Sequence, residues 1–146
     1  MKYLLLFLLA LSPSFLQAQT DSLAIRHCIS ELFEGMHQSD TSRIKACFSP
    51  HFRLVSILDQ DKVQIITDFE AFLQPFTQIE AGSIEERILA CQIQIDGYLA
   101  TVWTPYLFFY KEKLLHCGVN AFQLHKTEGG WKILHITDTR RKEGCE

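Results

Sequence analysis

The sequence predicts an α+β domain in which about three N-terminal helices lie on one side of a long, largely antiparallel sheet. Three observations carry that expectation. Apolar residues recur at helical spacing before residue 50. Everything after Ser83 has strand character. The last third, from Gly97 to Cys145, reads as three long strands joined by tight turns.

The first residues are expected to lie outside the fold. Lys2 gives a short basic start, and the apolar run Tyr3 to Leu11 is well short of the roughly 20 residues that span a bilayer. Leu16-Gln17-Ala18 is a small-residue cleavage pattern, so residues 1–18 read as a signal peptide with Gln19 as the mature start. No cysteine follows at once, which leaves no lipoprotein anchor, and the protein is expected to be periplasmic or secreted, off the membrane once cleaved. The remaining stretch, 19–146, is the size of one domain with one core.

Each element has a local reason. Thr20 or Asp21 can cap a helix with Ile25, Ile29, Leu32 and Met36 on one face, and Gly35 weakens its last turn. Asp40 caps a short second helix through Cys47, stopped by Ser49-Pro50. Phe52 to Ile57 reads as a strand, with Asp59 to Lys62 as its turn. Thr67-Asp68-Phe69-Glu70 has capping-box spacing for a helix ending near Pro75.

The turns then suggest registers. Asp96-Gly97 as a two-residue turn pairs Ile95 with Tyr98 and Cys91 with Val102. Lys111-Glu112-Lys113 pairs Tyr110 with Leu114, hence Thr104 with Asn120. Glu128-Gly129-Gly130 places His125 near Trp131 and Asn120 near Ile136.

Alternation sorts these strands into two faces. Ile93, Ala100, Val102, Phe122, Leu124, Leu134 and Ile136 form an apolar face for the helices to cover. Towards one end that face turns polar, through Thr104, Tyr106, His116, Asn120, Asp138 and Arg140. The opposite face carries Trp103, Leu107, Val119, Ala121, Ile133 and His135, too apolar for water alone, and a homodimer is the natural cover. A bulge at Pro105 would flip Tyr106 to Tyr110 to the other face.

The arrangement of helix, helix, strand, helix and long antiparallel strands resembles the nuclear transport factor 2-like superfamily. Phe33 to Asp40, Phe48-Ser49-Pro50, Gly130 to Ile133 and Ile136 to Arg140 look like segments of its small bacterial members, and within it the likeness is to the group named for lumazine binding. The resemblance implies a cone-shaped, cystatin-like roll around an apolar pocket. Such folds host isomerases, dehydratases, cyclases, transport adaptors and many proteins of unknown role, so the fold does not fix the activity.

Asp138 and His116 are the candidate acid–base pair of the polar end. Arg140 can hold an anionic group or keep Asp138 ionised, and Thr104, Tyr106 and Asn120 can donate to a carbonyl or oxyanion. The bland alternative is an Asp138–Arg140 ion pair that closes the sheet. Glu70 is a possible second acid, more simply explained as a cap. His135 belongs to the dimer face.

Other chemistries find little footing. Six dispersed histidines, His116 and His125 on opposite faces, and no C-x-x-C argue against a metal. No phosphate loop, nucleophile elbow or cofactor motif is present. Without Lys2, thirteen basic against seventeen acidic side chains argue against nucleic acid. Of the five cysteines, Cys28 and Cys47 would meet if the first two helices pack together; the others read as free thiols. The expected function is non-catalytic binding of a small apolar or planar ligand. An isomerase or dehydratase, and an interaction module with a self-filled pocket, are the alternatives.

Overall fold

A computed structural model describes residues 13–145. The apolar run Tyr3 to Leu11 lies outside the described residues. In chain order the elements are α1 (Pro13–His37), α2 (Thr41–Cys47), β1 (Phe48–Asp59), β2 (Lys62–Ile66) and α3 (Phe69–Leu73), which continues as a 3₁₀ turn over Gln74–Thr77. Five strands complete the chain: β3 (Ile84–Ile88), β4 (Gln92–Asp96), β5 (Leu99–Tyr110), β6 (Lys113–Thr127) and β7 (Gly130–Thr139).

The α+β expectation holds, as a curved, unclosed sheet in the order β2-β1-β7-β6-β5-β3, with β4 also on β5. One pairing departs from it. β1 runs parallel to β7, so the sheet is mixed. β3 and β4 share one edge of β5, β4 along Leu99–Trp103 and β3 along Tyr106–Tyr110. Pro105 lies between them. Its missing N–H falls where the edge partner changes, so it costs no ladder bond and makes no bulge.

α1 buries Ile25, Ile29 and Leu32 against the sheet, each burial stabilising by about 1.5–3 kcal/mol. Asp21 does not cap this helix, because α1 continues back to Pro13 across the expected cleavage site. Its buried carboxylate instead accepts from Lys126 Nζ at 2.9 Å and Trp131 Nε1 at 3.1 Å, tying α1 to the end of β6 and β7. The hydrogen bond from Lys126 is the main reason its pKa is lowered. Gly35 sits where α2 crosses. A Cβ there would lie 3.0 Å from Ile44 Cγ1 and 3.1 Å from its backbone N, so glycine permits the close approach.

The other caps follow local chemistry. Asp40 accepts from the backbone N–H of Ser42 and Arg43, as its position before α2 suggests. At α3 the cap is Asp68 rather than Thr67, accepting from Glu70 N and Ala71 N. Glu70 is therefore free of a capping box, and it pairs with Lys45 at 3.2 Å on the surface. Phe48, Phe52, Phe69, Phe72 and Phe76 pack edge-to-face or tilted between β1 and α3, the arrangement ring quadrupoles favour.

Registers follow the turns with local corrections. The first hairpin turns on Gly97-Tyr98, pairing Asp96 with Leu99 and Ile93 with Val102. That shift of two residues leaves every face unchanged. Thr104 pairs with Asn120 as expected, but the β5–β6 turn is Lys111-Glu112, both at positive φ, and Leu115 is the bulged residue. On β7 a second bulge falls at Leu134, between the Leu124–Ile133 and Gln123–His135 pairs. This bulge corrects the dimer-face assignment of Ile133, which turns inward and is fully buried in the core. Asn120 consequently faces Asp138 rather than Ile136.

The cysteine reading also changes. α1 and α2 do pack together, and Cys28 Sγ lies 3.7 Å from the Cys47 carbonyl oxygen, but both thiols are free. The disulfide is Cys117–Cys145. After β7 the chain folds back over the convex face, where Arg141 and Cys117 exchange backbone hydrogen bonds at 2.9 Å and Cys145 reaches the Cys117 sulfur. No spacing rule announces that return. Among the described residues no helix is long and apolar enough to cross a membrane.

Candidate functional site

The concave face of the sheet and the helices enclose a cavity of about 370 Å³. Leu32, Phe33 and Met36 of α1 form one wall; Phe72, Pro75 and Phe76 form another. Leu54, Phe122 and Ile136 make an apolar floor. The walls come from helical spacing, and the floor from strand alternation.

The polar end gathers most of the residues expected there. Tyr106, His116, Asn120, Asp138 and Arg140 all line the cavity. Thr104 does not. It is fully buried, with its hydroxyl 3.4 Å from the Asn120 carbonyl oxygen, and its part is structural. Glu70 is exposed and outside the cavity, and His135 lies on the convex face, 3.0 Å from the Thr137 hydroxyl.

Two further residues complete the end. Ser56 of β1 donates a short hydrogen bond to Asp138 Oδ1, while Arg140 Nε donates to Oδ2 at 2.9 Å. Arg140 Nη2 also lies 3.2 Å from the Ser56 oxygen, closing a triangle of Ser56, Asp138 and Arg140. Glu86 of β3 is the other. Asn120 Nδ2 donates to its Oε1 at 2.6 Å. Burial is the main cause that pushes the Glu86 pKa up to about 7, with Asp138 raising it further against the pull of Asn120 and Arg140.

Tyr106 and His116 form a neighbouring pair. The Tyr106 hydroxyl donates to the Thr139 carbonyl at 2.9 Å and lies 3.4 Å from His116 Nδ1. Burial raises the tyrosine pKa and lowers that of the histidine, which Arg140 lowers further. His116 stacks flat on Phe108, ring centres 4.7 Å apart. Tyr106 reaches Thr139 because residue 118, its cross-strand partner, is glycine. A Cβ at Gly118 would fall 1.8 Å from the Thr139 oxygen and 2.9 Å from the Tyr106 ring.

The expected acid–base pair is thus separated. No hydrogen bond joins Asp138 to His116, and both Asp138 oxygens already hold a protein donor. Glu86 differs: one oxygen is held by Asn120, and Oε2 makes no hydrogen bond with a described residue. The sequence did carry a signal for it, since Ile84, Glu86 and Ile88 alternate onto one face. Ser56 follows Phe52 and Leu54 in the same way. Among the described residues no group of three or more His, Cys, Asp or Glu side chains is placed to hold a metal ion.

Comparison with known proteins places this architecture. The model of the SnoaL-like domain matches residues 25–137, most of the chain. The chain belongs to the SnoaL-like domain family. It thereby takes its place in the nuclear transport factor 2-like superfamily, as its segments suggested. No curated protein matches this SnoaL-like chain.

Solved structures match it at the level of the fold. A protein of unknown function with a cystatin-like fold from Nostoc punctiforme superposes with a TM-score of 0.70 at 15% identity, over 85% of this chain and 93% of the other. A proposed dehydratase of the NTF2-like family from Streptomyces avermitilis gives 0.70 at 13% identity, over 86% and 99%. A proposed aromatic ring hydroxylase from Novosphingobium aromaticivorans gives 0.68 at 15%, over 85% and 91%. At these identities the SnoaL-like fold is shared, and the chemistry is a separate matter.

Proposed function

We propose that this is an exported protein that binds one small, largely apolar or planar molecule in its concave pocket without transforming it. The observation that carries the reading is the open cavity of about 370 Å³, aromatic on its walls and hydrogen-bonded within itself at its polar end. Asp138, Arg140, Ser56 and Tyr106 already satisfy one another or the backbone, which suits a fixed recognition surface. The open volume weighs against a self-filled pocket. A planar bicyclic ring, lumazine included, falls within the size class.

Native mass spectrometry of the purified protein tests this. A one-to-one adduct with naphthalene is expected, and Met36→Trp, which fills the cavity from α1, should abolish it. Equal binding by both proteins would sink the proposal.

A second reading, proton transfer of the isomerase or dehydratase kind, is favoured by Glu86, a carboxyl pushed up to about 7 inside the pocket. Under that reading Glu86→Gln or Asp138→Asn lowers turnover while ligand affinity changes little.

Export and dimerisation belong to the same proposal. The Cys117–Cys145 disulfide suits an oxidising compartment, and N-terminal sequencing of the exported protein should begin at Gln19. The convex face supports a homodimer through Trp103, half exposed at 51%, with Leu107, Val119, Ala121 and His135 around it. A single monomeric species in sedimentation at micromolar concentration would refute that assembly.

A further inference from the structure

Two cavities meet at one ionisable side chain. Beside the pocket, a cleft of about 490 Å³ runs between α1 and β3. Arg26, Glu34 and His37 line it from the helix, and Glu85 and Glu86 from the strand. Phe33 and Glu86 line both the cleft and the pocket. Glu86 thus has the ligand cavity on one side and a separate approach from solvent on the other.

Its carboxyl is also held in one orientation. Asn120 Nδ2 donates to Oε1 at 2.6 Å, and Oε2 makes no hydrogen bond with a described residue. In the neutral acid the natural division is for Oε1 to be the carbonyl oxygen that accepts from Asn120, with the proton on Oε2. Both Asp138 oxygens accept from Ser56 and Arg140, and the Tyr106 hydroxyl donates to Thr139. Glu86 Oε2 is thus the one carboxyl oxygen of the pocket lining that no described residue holds.

We propose that Glu86 is the ligand-recognition residue of the pocket. Neutral, it donates from Oε2 to a carbonyl oxygen on a small aromatic or apolar ligand; after losing its proton through the α1–β3 cleft, it repels that oxygen and releases the ligand. The inference rests on the binding reading above and adds the chemical class of the ligand and the condition for its release.

The surrounding charges set where the change occurs. Burial favours the neutral acid, and so does Asp138 on β7; Asn120 on β6 and Arg140 on β7 oppose them. Tyr106 on β5 stays protonated, with its pKa raised, and the lowered pKa of His116 on β6 leaves it uncharged near neutral pH. Arg26, Glu34 and His37 of α1 and the adjacent Glu85 face the cleft side. The balance lies at about 7, so the donor form prevails below neutrality and is lost as pH rises.

The test measures dissociation constants of 2-acetylnaphthalene and naphthalene from pH 5.5 to 8.5, for wild type, Glu86→Gln and Glu86→Leu. Wild type should hold 2-acetylnaphthalene more tightly than naphthalene at low pH, and lose about tenfold in affinity per pH unit above the midpoint. Naphthalene binding should stay flat. Glu86→Gln keeps an N–H donor and loses the charge, so it should bind the ketone at the low-pH strength throughout. Glu86→Leu should bind both probes alike. Equal pH profiles for the two probes, or a pH-dependent Glu86→Gln, would overturn the Glu86 assignment while leaving the pocket reading intact. If naphthalene fails to bind at all, both readings fall.

Discussion

The concave and convex faces of the sheet are made by alternate residues of the same strands, yet they have opposite fates. On β5 and β6, Ala100, Val102, Phe122 and Leu124 are buried beneath the helices. Their immediate neighbours Leu99 and Trp103 are about half exposed. What separates the two sets is which elements the chain supplies as cover. The helices close the concave side around a cavity, whereas among the described residues the convex side receives the returning tail at Cys117. Sequence alternation defines a face; its role depends on what lies against it.

Substitutions can break that contrast, beginning with the concave core. Phe122→Ala removes a fully buried ring packed edge-on to Phe33, and should cost about 3–5 kcal/mol in urea unfolding. Losing the tail's anchor comes next. Cys145→Ser should lower stability by about 3.5 kcal/mol, as expected for closing a loop between residues 28 apart. A loss below 1 kcal/mol would mean the tail's cover of the convex face is energetically idle.

Glu86 gives a pH-resolved comparison within the concave face. Its folded pKa is raised, so the native state binds the extra proton, and the associated stability is present below the unfolded carboxyl value and lost as pH rises to about 7. Relative to Glu86→Gln, wild type should lose on the order of 2 kcal/mol between pH 4.5 and 7 and nothing further above it. A constant difference across that window would contradict the assignment. Ser56→Ala, which leaves Asp138 with Arg140 as partner, should cost about 1 kcal/mol. The smallest effect is expected on the convex face. Trp103→Ala should shift unfolding by no more than about 0.5 kcal/mol in dilute monomer, and act instead on self-association.

How legible each part was follows from strand parity. A register shifted by two residues, as beside Gly97-Tyr98 and where Asn120 meets Asp138, keeps every side chain on its face, so Tyr106, His116, Asn120, Asp138 and Arg140 stay together along one cavity. A one-residue bulge does not forgive. The bulge at Leu134 reversed Ile133, and no turn residue announces it. Ser56 and Glu86 escaped for a different reason: their strands pair with distant partners, β1 with β7 and β3 with β5. Hairpin turns constrain only sequential strands. Cys145 lies beyond the last periodic segment, where nothing local marks its return to Cys117.

The parallel pairing of β1 with β7 has a consequence in time. β5, β6 and β7 are joined by short turns, but Ser56 and Asp138 lie 82 residues apart in the chain. Closing so long a loop is slow relative to zipping hairpins, so β5, β6 and β7 should pair before β1 brings Ser56 to Asp138. The hydrogen bond that fixes Asp138 then arrives late, after the hairpins. A ligand would lengthen the life of the folded protein without hastening the pairing of those hairpins.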